Sequence, residues 1–242
     1  MIAILAGGKG KRYGKDKLNE LIDGRRVIER LLSEFPQATL ITTSEERCKL
    51  YSAIRCVIDN GEGPAEAMRS LSGTVTFIPG DMPFVTKEMV EKLVSYKNVF
   101  KADVAVPIHA DGFMESLFIS VNLDALDLEK VKRKLGRPLR ATDFIRFANR
   151  RIFVGSKLIS RFPVNFAHLN TPLDLRIRYS KSPLGEELLV LNSPFEPCES
   201  IEEELKTYRK LGLVQLETHA RRDLEVCNQI YTSSTTQARR LD

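Results

Sequence analysis

The sequence contains few residues of the types that hold metal clusters or build disulfide frameworks. Of its 242 residues, only three are histidine and four are cysteine. The cysteines are scattered (Cys48, Cys56, Cys198 and Cys227), with no CxxC pair and no zinc-type ligand spacing. The pattern therefore excludes a zinc motif, and we expect a protein of the reducing cytoplasm.

Long apolar runs are also absent. No stretch approaches the ~20 apolar residues that a membrane-spanning helix needs, so we expect no membrane partner. The apolar run at residues 1–5 is too short for a signal peptide. The net charge of +5 is mild, and it permits either a nucleic-acid partner or an anionic small substrate.

Two common phosphate-binding motifs are missing, although residues 5–17, LAGGKGKRYGKDK, are rich in glycine and lysine. A Walker P-loop needs glycine in place of Lys9 and Ser or Thr in place of Asp16. The dinucleotide fingerprint needs glycine in place of Tyr13. What remains is a strand followed by a bendable loop with five cations: Lys9, Lys11, Arg12, Lys15 and Lys17. Such a loop can bind a polyphosphate through backbone amides and lysines, the alternative being an exposed basic loop.

Three further loops follow predicted strands. Asp81 lies in the rigid turn of FIPGDMPFV (77–85), where a hard oxygen can ligate Mg²⁺ on phosphates. Asp59 precedes a Gly-Pro helix start in DNGEGPAEAM (59–68). Asn170 follows a short predicted strand and precedes a predicted helix in FAHLNTPLDL (166–175). Each is explained singly by a turn or helix start, but loops after parallel strands can converge at one edge of the sheet.

Apolar or β-branched runs alternate with segments of helical periodicity along residues 1–121. Strands are predicted at 2–5, 38–43, 55–59, 74–78, 102–108 and 114–121. Helices are predicted at 26–35, after a capping box of Thr43 and Glu46, at 65–71, and after Thr86. The alternation predicts an α/β fold with three layers, α/β/α, around a mostly parallel sheet.

Residues 183–242 have a different pattern, which predicts a helical C-terminal extension to a catalytic domain at 1–182. A linker (192–197) and a capping box of Ser200 and Glu203 precede apolar residues at helical spacing. These are Ile201, Leu205, Tyr208, Leu211, Leu213, Leu216, Ala220, Leu224, Cys227 and Tyr231. We expect amphipathic helices that pack on the main body, a second subunit or a partner protein. The alternative is a cover over the acceptor site, with His219, Arg221 and Arg222 meeting an anion.

The loop LAGGKGKRYGKDK resembles the signature LAGG-x-x-x-R-x-G-x-(D)K of nucleotidyltransferases with the nucleotide-diphospho-sugar transferase fold. The chain most resembles the molybdenum cofactor guanylyltransferase family (molybdopterin-guanine dinucleotide synthases), over roughly residues 1–180. That family also carries an Asp before a Gly-Pro helix start, an Asp-x-Pro turn and an Asn-x-Asn-Thr-Pro-Glu-Asp-Leu segment. Asp59, Asp81 and residues 168–175 match these features here.

The resemblance implies transfer of GMP, or another NMP, from a nucleoside triphosphate to the phosphate of molybdopterin, with release of pyrophosphate. GTP is the favoured nucleotide and Mg²⁺ the implied cofactor, with no nucleic acid among the partners. The implied catalytic residues are Arg12, Lys17 and Asp81. The implied nucleotide-binding residues are Leu5, Ala6, Gly7, Gly8, Lys17, Asp59 and Asn170, and the implied Mg²⁺ ligands are Asp81 and Asn170.

Three departures from the family pattern leave the base and the acceptor open. His168 replaces the first Asn of the last segment, Glu115-Ser116-Leu117 replaces Gln-Pro-Leu, and Thr42-Thr43 replace an Asn that helps to bind the base. The alternatives are CTP instead of GTP, a sugar phosphate or cobinamide phosphate as acceptor, a non-catalytic nucleotide-binding relative, and a nucleic-acid binder.

Overall fold

The computed structural model describes residues 1–7, 16–59, 63–177, 179–180, 182–192 and 194–238, with side chains except those of Leu175 and of residues 230–238. The strands are β1 (Ile2–Leu5), β2 (Leu21–Ile22), β3 (Arg25–Arg26), β4 (Thr39–Thr42), β5 (Arg55–Ile58), β6 (Thr74–Pro79), β7 (Val104–Ile108), β8 (Ile119–Asn122), β9 (Arg151–Gly155) and β10 (Leu188–Leu191). The α-helices are α1 (Val27–Glu34), α2 (Glu45–Leu50), α3 (Pro64–Arg69), α4 (Lys87–Val99), α5 (Leu128–Leu135), α6 (Asp143–Arg146), α7 (Ser156–Ile159), α8 (Asp174–Ile177), α9 (Ile201–Lys210) and α10 (Val214–Ala238). Short 3₁₀ helices cover Lys17–Asn19, Leu123–Ala125 and Pro163–Phe166.

Eight strands form one sheet in the order β10-β9-β7-β8-β6-β1-β4-β5, and β2 and β3 form a separate hairpin. Strands β5, β4, β1 and β6 run parallel to one another, and β7 is parallel to β9. Strand β8 is antiparallel to β6 and β7, and β10 is antiparallel to β9. The mostly parallel sheet confirms the predicted nucleotide-diphospho-sugar transferase fold.

Helices cover both faces of the sheet. Ala3 and Leu5 of β1 belong to one apolar cluster, and Ile4 between them belongs to the other. Successive side chains of a strand point to opposite faces, so each face needs its own helical layer. One layer contains α1, α4 and α7, and the other contains α3, α5, α6, α9 and α10.

The C-terminal helices α9 and α10 bury their apolar stripe against the main body. Tyr208, Leu216 and Ala220 are fully buried in the cluster that also contains Val131 of α5 and Phe144 of α6. This packing agrees with the helical spacing of the sequence. Strand β10 was not predicted, and it adds an edge strand to the sheet just before the helices. The division into domains at 1–182 and 183–242 stays a prediction.

Both predicted capping boxes were wrong in detail. Helix α2 begins one residue later than expected, because Ser44 is its N-cap and accepts a hydrogen bond from the backbone N–H of Arg47 (3.3 Å). At α9, the Ser200 hydroxyl bonds to the backbone of Glu196 and makes no side-chain capping bond to the helix. The predicted cap of α4 is confirmed, since Thr86 accepts from the N–H of Met89.

Two predicted strands were also wrong in extent. Residues 114–118 lie in an irregular connection, and β8 begins only at Ile119. The segment before Asn170 contains the 3₁₀ helix Pro163–Phe166 instead of a strand, and the following helix begins at Asp174. Met114 and Phe118 in the first segment and Phe166 and Leu169 in the second are buried, so the apolar content of both segments reflects burial; among the described residues, their strand pairing is limited to an isolated bridge between Met114 and Ile108.

The expectation of four reduced cysteines was wrong. Cys48 is bonded to Cys56, and Cys198 to Cys227, with Cα–Cα distances of 6.1 and 5.4 Å. Those distances are ordinary for disulfides. The spacing of the cysteines in the sequence does not indicate these pairs. The fold creates them by bringing α2 beside β5 and residue 198 beside α10. No helix within the described ranges combines the length and apolar character that membrane crossing requires.

Candidate active site

The loops singled out in the sequence meet at the carboxyl edge of the parallel strands. Beyond β5, the N–H of Asp59 donates to the carbonyl of Thr42 at the end of β4 (2.7 Å). Beyond β6, the N–H of Gly80 donates to the carbonyl of Leu5 at the end of β1 (2.9 Å). The convergence that parallel strand order predicts is therefore present.

Gly80 allows the turn that carries Asp81 to approach β1 closely. A Cβ at this position would lie 2.8 Å from the carbonyl oxygen of Leu5 and 3.2 Å from the Leu18 side chain. Only glycine fits such an approach without a backbone shift. The next residue, Asp81, is therefore held beside Lys17, at the end of the glycine-rich loop.

Lys17 and Asp81 form the central ion pair of the site. The Lys17 Nζ donates to Oδ2 of Asp81 at 2.7 Å, and both side chains are only partly exposed. Asp16 begins the 3₁₀ turn that carries Lys17, because its carboxylate accepts from the backbone N–H of Leu18 (3.1 Å). Two predicted catalytic residues from distant parts of the sequence are thus in direct contact.

Arg47 and Tyr51 also belong to this site, and the sequence analysis missed them. Arg47 donates to the carbonyl oxygen of Ala6 (3.1 Å) and to Oδ2 of Asp16 (2.6 Å), and Tyr51 donates to the same Oδ2 (3.0 Å). Burial, followed by the charge of Asp16, raises the pKa of Tyr51 to about 12, so its phenol stays a donor. Arg47 lies in an ordinary charged helix, and no sequence signal marked it.

A series of polar contacts, one ion pair and three hydrogen bonds, extends from Asp81 away from Lys17. Oδ1 of Asp81 lies 3.4 Å from Nδ1 of His168, whose Nε2 is 2.8 Å from Oε2 of Glu115. Oε1 of Glu115 is 2.9 Å from Nε2 of His109, whose Nδ1 is 3.0 Å from the hydroxyl of Ser156. Two of the positions that depart from the family pattern, His168 and Glu115, therefore contact each other.

Positive and negative side chains alternate along this series, from Lys17 through Asp81 and His168 to Glu115. Burial would raise the pKa of Asp81, but His168 and then Lys17 outweigh it and lower that pKa to about 2. Burial likewise would raise the pKa of Glu115, and the bonds from His109 and His168 lower it to about 2. Burial would lower the pKa of His168, but the two carboxylates raise it to about 10.

The other predicted residues lie around this pair or outside the described ranges. A Cβ on Gly7 would be 3.6 Å from Oδ2 of Asp59, so that carboxylate faces the backbone after β1. Asn170 is adjacent to the site, because the N–H of the preceding Leu169 donates to the carbonyl of Asp81 (2.9 Å). Gly8 and Arg12, with Lys9 and Lys11, lie outside the described residues, and their roles stay predictions.

Two of the three tail residues considered as an acceptor-site cover, His219 and Arg221, have partners of their own. Nδ1 of His219 is 2.6 Å from the hydroxyl of Thr142, and Arg221 donates to Glu217 within α10. These contacts give His219 and Arg221 a place in the packing of the tail, which favours the expected packing role over the alternative of an acceptor-site cover.

The donor set at this edge fits a magnesium–nucleotide complex better than a metal ion held by protein alone. In the described part of the chain, no three His, Cys, Asp or Glu side chains are arranged to hold a metal. Asp81 supplies one ionised carboxylate, and Asn170 lies in the neighbouring segment. Mg²⁺ is commonly held by one or two protein carboxylates together with substrate phosphates, and this set suits that arrangement.

Solved structures share the fold. Molybdopterin-guanine dinucleotide biosynthesis protein A from Archaeoglobus fulgidus matches with a TM-score of 0.62 at 22% identity, covering 74% of this chain and 96% of its own. The bifunctional IspDF from Campylobacter jejuni matches with a TM-score of 0.52 at 16% identity, covering 75% of this chain and 54% of its own.

The fold and the residues at its strand ends define a nucleotidyltransferase. More narrowly, the chain belongs to the MobA-like NTP transferase domain family, which matches residues 2–146. A relative from Methanothermobacter thermautotrophicus is 29% identical over 202 residues, covering 73% of this chain and 97% of its own. One from Thermococcus sibiricus is 30% identical over 155 residues, covering 57% and 80%. Both are named probable molybdenum cofactor guanylyltransferase, which agrees with the resemblance seen in the sequence.

Proposed function

We propose that the protein transfers GMP from GTP to the phosphate of molybdopterin and releases pyrophosphate. The observation that carries the proposal is the contact of Lys17 with Asp81 at the carboxyl edge of the sheet (2.7 Å). The names of the relatives support the choice of nucleotide and acceptor.

The chemistry is a substitution at the α-phosphorus of the triphosphate. An oxygen of the acceptor phosphate forms the new P–O bond, the bond to the β-phosphate bridging oxygen breaks, and pyrophosphate leaves. Such reactions depend mainly on positioning and charge stabilisation. Lys17 would stabilise charge that develops on the α-phosphate, and Arg12 would bind the triphosphate.

Asp81 has two proposed roles at this site. It orients Lys17, and with Asn170 it would hold Mg²⁺, which when bound neutralises phosphate charge. The backbone of residues 5–8 and the carboxylate of Asp59 would contact the base and ribose. Arg47 keeps that backbone in place by binding the carbonyl of Ala6.

We place the protein in the cytoplasm, with residues 1–182 as the catalytic domain and 183–242 as a stabilising extension. Disulfides are usual in oxidising compartments, but intracellular proteins of hyperthermophiles also contain them. Alkylation of thiols in rapidly quenched cells, followed by fractionation, tests the location. Recovery of the protein only outside the cytoplasmic fraction would contradict it.

The deciding experiment supplies each nucleoside triphosphate with Mg²⁺ and one acceptor at a time. We expect pyrophosphate and a dinucleotide product of the correct mass only with GTP and molybdopterin. Turnover with CTP, a sugar phosphate or cobinamide phosphate would instead identify the corresponding alternative. Nucleotide binding without turnover on any acceptor would indicate a non-catalytic relative.

Replacement of Asp81 tests the site within the same assay. Asp81→Ala removes the partner of Lys17 and the proposed metal ligand, so turnover should be lost while the fold is retained. Near-normal pyrophosphate release from this variant would contradict the assignment of Asp81.

A further inference from the structure

Glu115 links the active site to the protein interior. Its carboxylate lies between two imidazoles, with Oε1 2.9 Å from His109 and Oε2 2.8 Å from His168. Its side chain is 12% exposed, whereas that of His168 is 31% exposed and that of His109 is 1% exposed. The partly exposed ring of His168 is therefore connected, through one carboxylate, to the buried ring of His109.

The ionised carboxylate of Glu115 fixes the direction of its two hydrogen bonds. An ionised carboxylate only accepts, so both imidazoles donate to Glu115 from Nε2. Nδ1 of His109 lies 3.0 Å from the hydroxyl of Ser156, and that hydroxyl accepts from the backbone N–H of Gly185 (3.0 Å). The other ring nitrogen of His168, Nδ1, lies 3.4 Å from Oδ1 of Asp81 as an ion pair.

The loop that carries Glu115 is anchored on both sides. Its own N–H donates to the carbonyl of Pro107 in β7 (3.0 Å). Gln215, in the first turn of α10, accepts from the N–H of Met114 (3.3 Å) and donates to the hydroxyl of Ser116 (3.4 Å). Helix α10 therefore supports the two residues that flank Glu115, although it lies beyond the matched family region.

We propose that Glu115 is a positioning residue of the transfer reaction: it fixes the ring of His168, which holds Oδ1 of Asp81 and leaves Oδ2 aligned on Lys17. The proposal rests on the proposed function, because it assigns Glu115 a role in the same site. It also gives the C-terminal extension a role at that site, since Gln215 holds the loop in place.

The structural alternative is that Glu115 merely stabilises its loop. A purely structural residue would lower stability and change catalysis only in proportion to unfolding. A residue that acts through His168 would lower kcat in the folded enzyme, and its effect would disappear once His168 is changed. The two possibilities therefore predict different results for paired variants.

The test compares Glu115→Gln, His168→Asn, the double variant and Gln215→Ala. The glutamine amide would place a donor against one of the imidazole N–H groups, so one ring loses its partner. We expect Glu115→Gln to lower kcat by about 10–100-fold with little change in the KM for nucleotide, as is typical when a partner of a site residue is removed. Gln215→Ala should lower kcat by less, with the fold retained.

Glu66→Gln is the matched control. Glu66 has a similarly buried side chain (10% exposed) and also accepts from two cations, Arg69 at 2.8 Å and Lys132 at 2.9 Å. It lies in α3, outside the chain of contacts at Asp81. We expect its kcat to match that of the wild type.

The double variant decides the proposal. A kcat equal to that of His168→Asn alone supports action through His168. A loss equal to the product of the two single losses, or an equal loss in Glu66→Gln, would overturn it. Gln215→Ala at wild-type kcat would overturn the role of the tail.

A spectroscopic measurement separates this proposal from the proposed function. In ¹⁵N–¹H spectra of histidine-labelled enzyme, the ring N–H signals of His168 should be slow to exchange in the wild type and lost in Glu115→Gln. Wild-type protein that shows these signals but turns over no acceptor would refute the proposed function and leave the ring placement supported. Signals unchanged in Glu115→Gln would refute the ring placement.

Discussion

Asp223 offers the sharpest test of how the C-terminal extension is attached. This aspartate of α10 is fully buried, and three arginines of the main body surround it. Arg137 donates to both of its oxygens (2.7 and 2.5 Å), Arg146 donates at 2.5 Å, and Arg140 at 3.2 Å. Burial would raise the pKa of Asp223, but the hydrogen bonds from Arg137 and the charge of Arg146 lower it.

Asp223→Asn keeps the shape of the side chain and removes its charge. Removal of one partner from a buried ion pair costs about 3–5 kcal/mol, because the opposite charges stay buried. Arg146 keeps Glu204 as a bidentate partner (2.6 and 2.9 Å), so the lower part of that range is the better expectation. For a chain of this length, 1 kcal/mol corresponds to ~2–4 °C, so Tm should fall by about 6–12 °C.

The assay is thermal unfolding of the variant beside Glu199→Gln. Glu199 pairs with Lys134 at 2.6 Å, but both side chains are largely exposed, so we expect no measurable change there. GTP affinity, measured below the transition, should be unchanged in both variants. The argument is refuted if Asp223→Asn and Glu199→Gln unfold at the same temperature.

Three other predictions concern the site, pH and the disulfides. Lys17→Ala should slow turnover by more than ~100-fold, because Lys17 contacts Asp81 and is the lysine proposed to stabilise charge on the α-phosphate. Lys9 has no proposed role at that phosphate, so Lys9→Ala should slow turnover much less; equal losses would indicate a diffuse basic patch. Burial, followed by the charges of Arg140 and Arg146, lowers the pKa of His219 to about 4, below the ordinary 6.5. As the pH falls, the unfolded chain therefore takes up this proton before the folded protein does. The free energy of unfolding should fall as the pH drops from about 6.5 towards 4, and His219→Asn should lessen that slope. An identical slope in both proteins refutes the prediction. Replacement of Cys198 and Cys227 by serine opens a loop of 29 residues, which should cost roughly 3.6 kcal/mol in denaturant unfolding; an unchanged midpoint would show that the bond does not form.

Local order was largely predictable from the sequence. The alternation of apolar runs and helical segments specified most strands, the parallel sheet and the helices that cover it, because burial imposes a period of two on strands and 3.6 on helices. The same order of elements placed Lys17, Asp59 and Asp81 in loops after strands, whereas a 3₁₀ helix replaces the strand expected before Asn170. Strand ends of a parallel sheet share one edge, so their proximity followed without coordinates.

Contacts between distant segments were decided by the tertiary structure alone. Arg47 has no local signal, yet it joins Ala6 to Asp16 across the glycine-rich segment. The cysteine pairs and the contact of His168 with Glu115 likewise depend on how loops fold over one another. Side-chain periodicity indicates which face of a helix or strand is buried, but it does not indicate which distant segment covers that face. For this reason the sequence determined the fold and the edge where chemistry occurs, while only packing determined which side chains hold Asp81 and Lys17 in place.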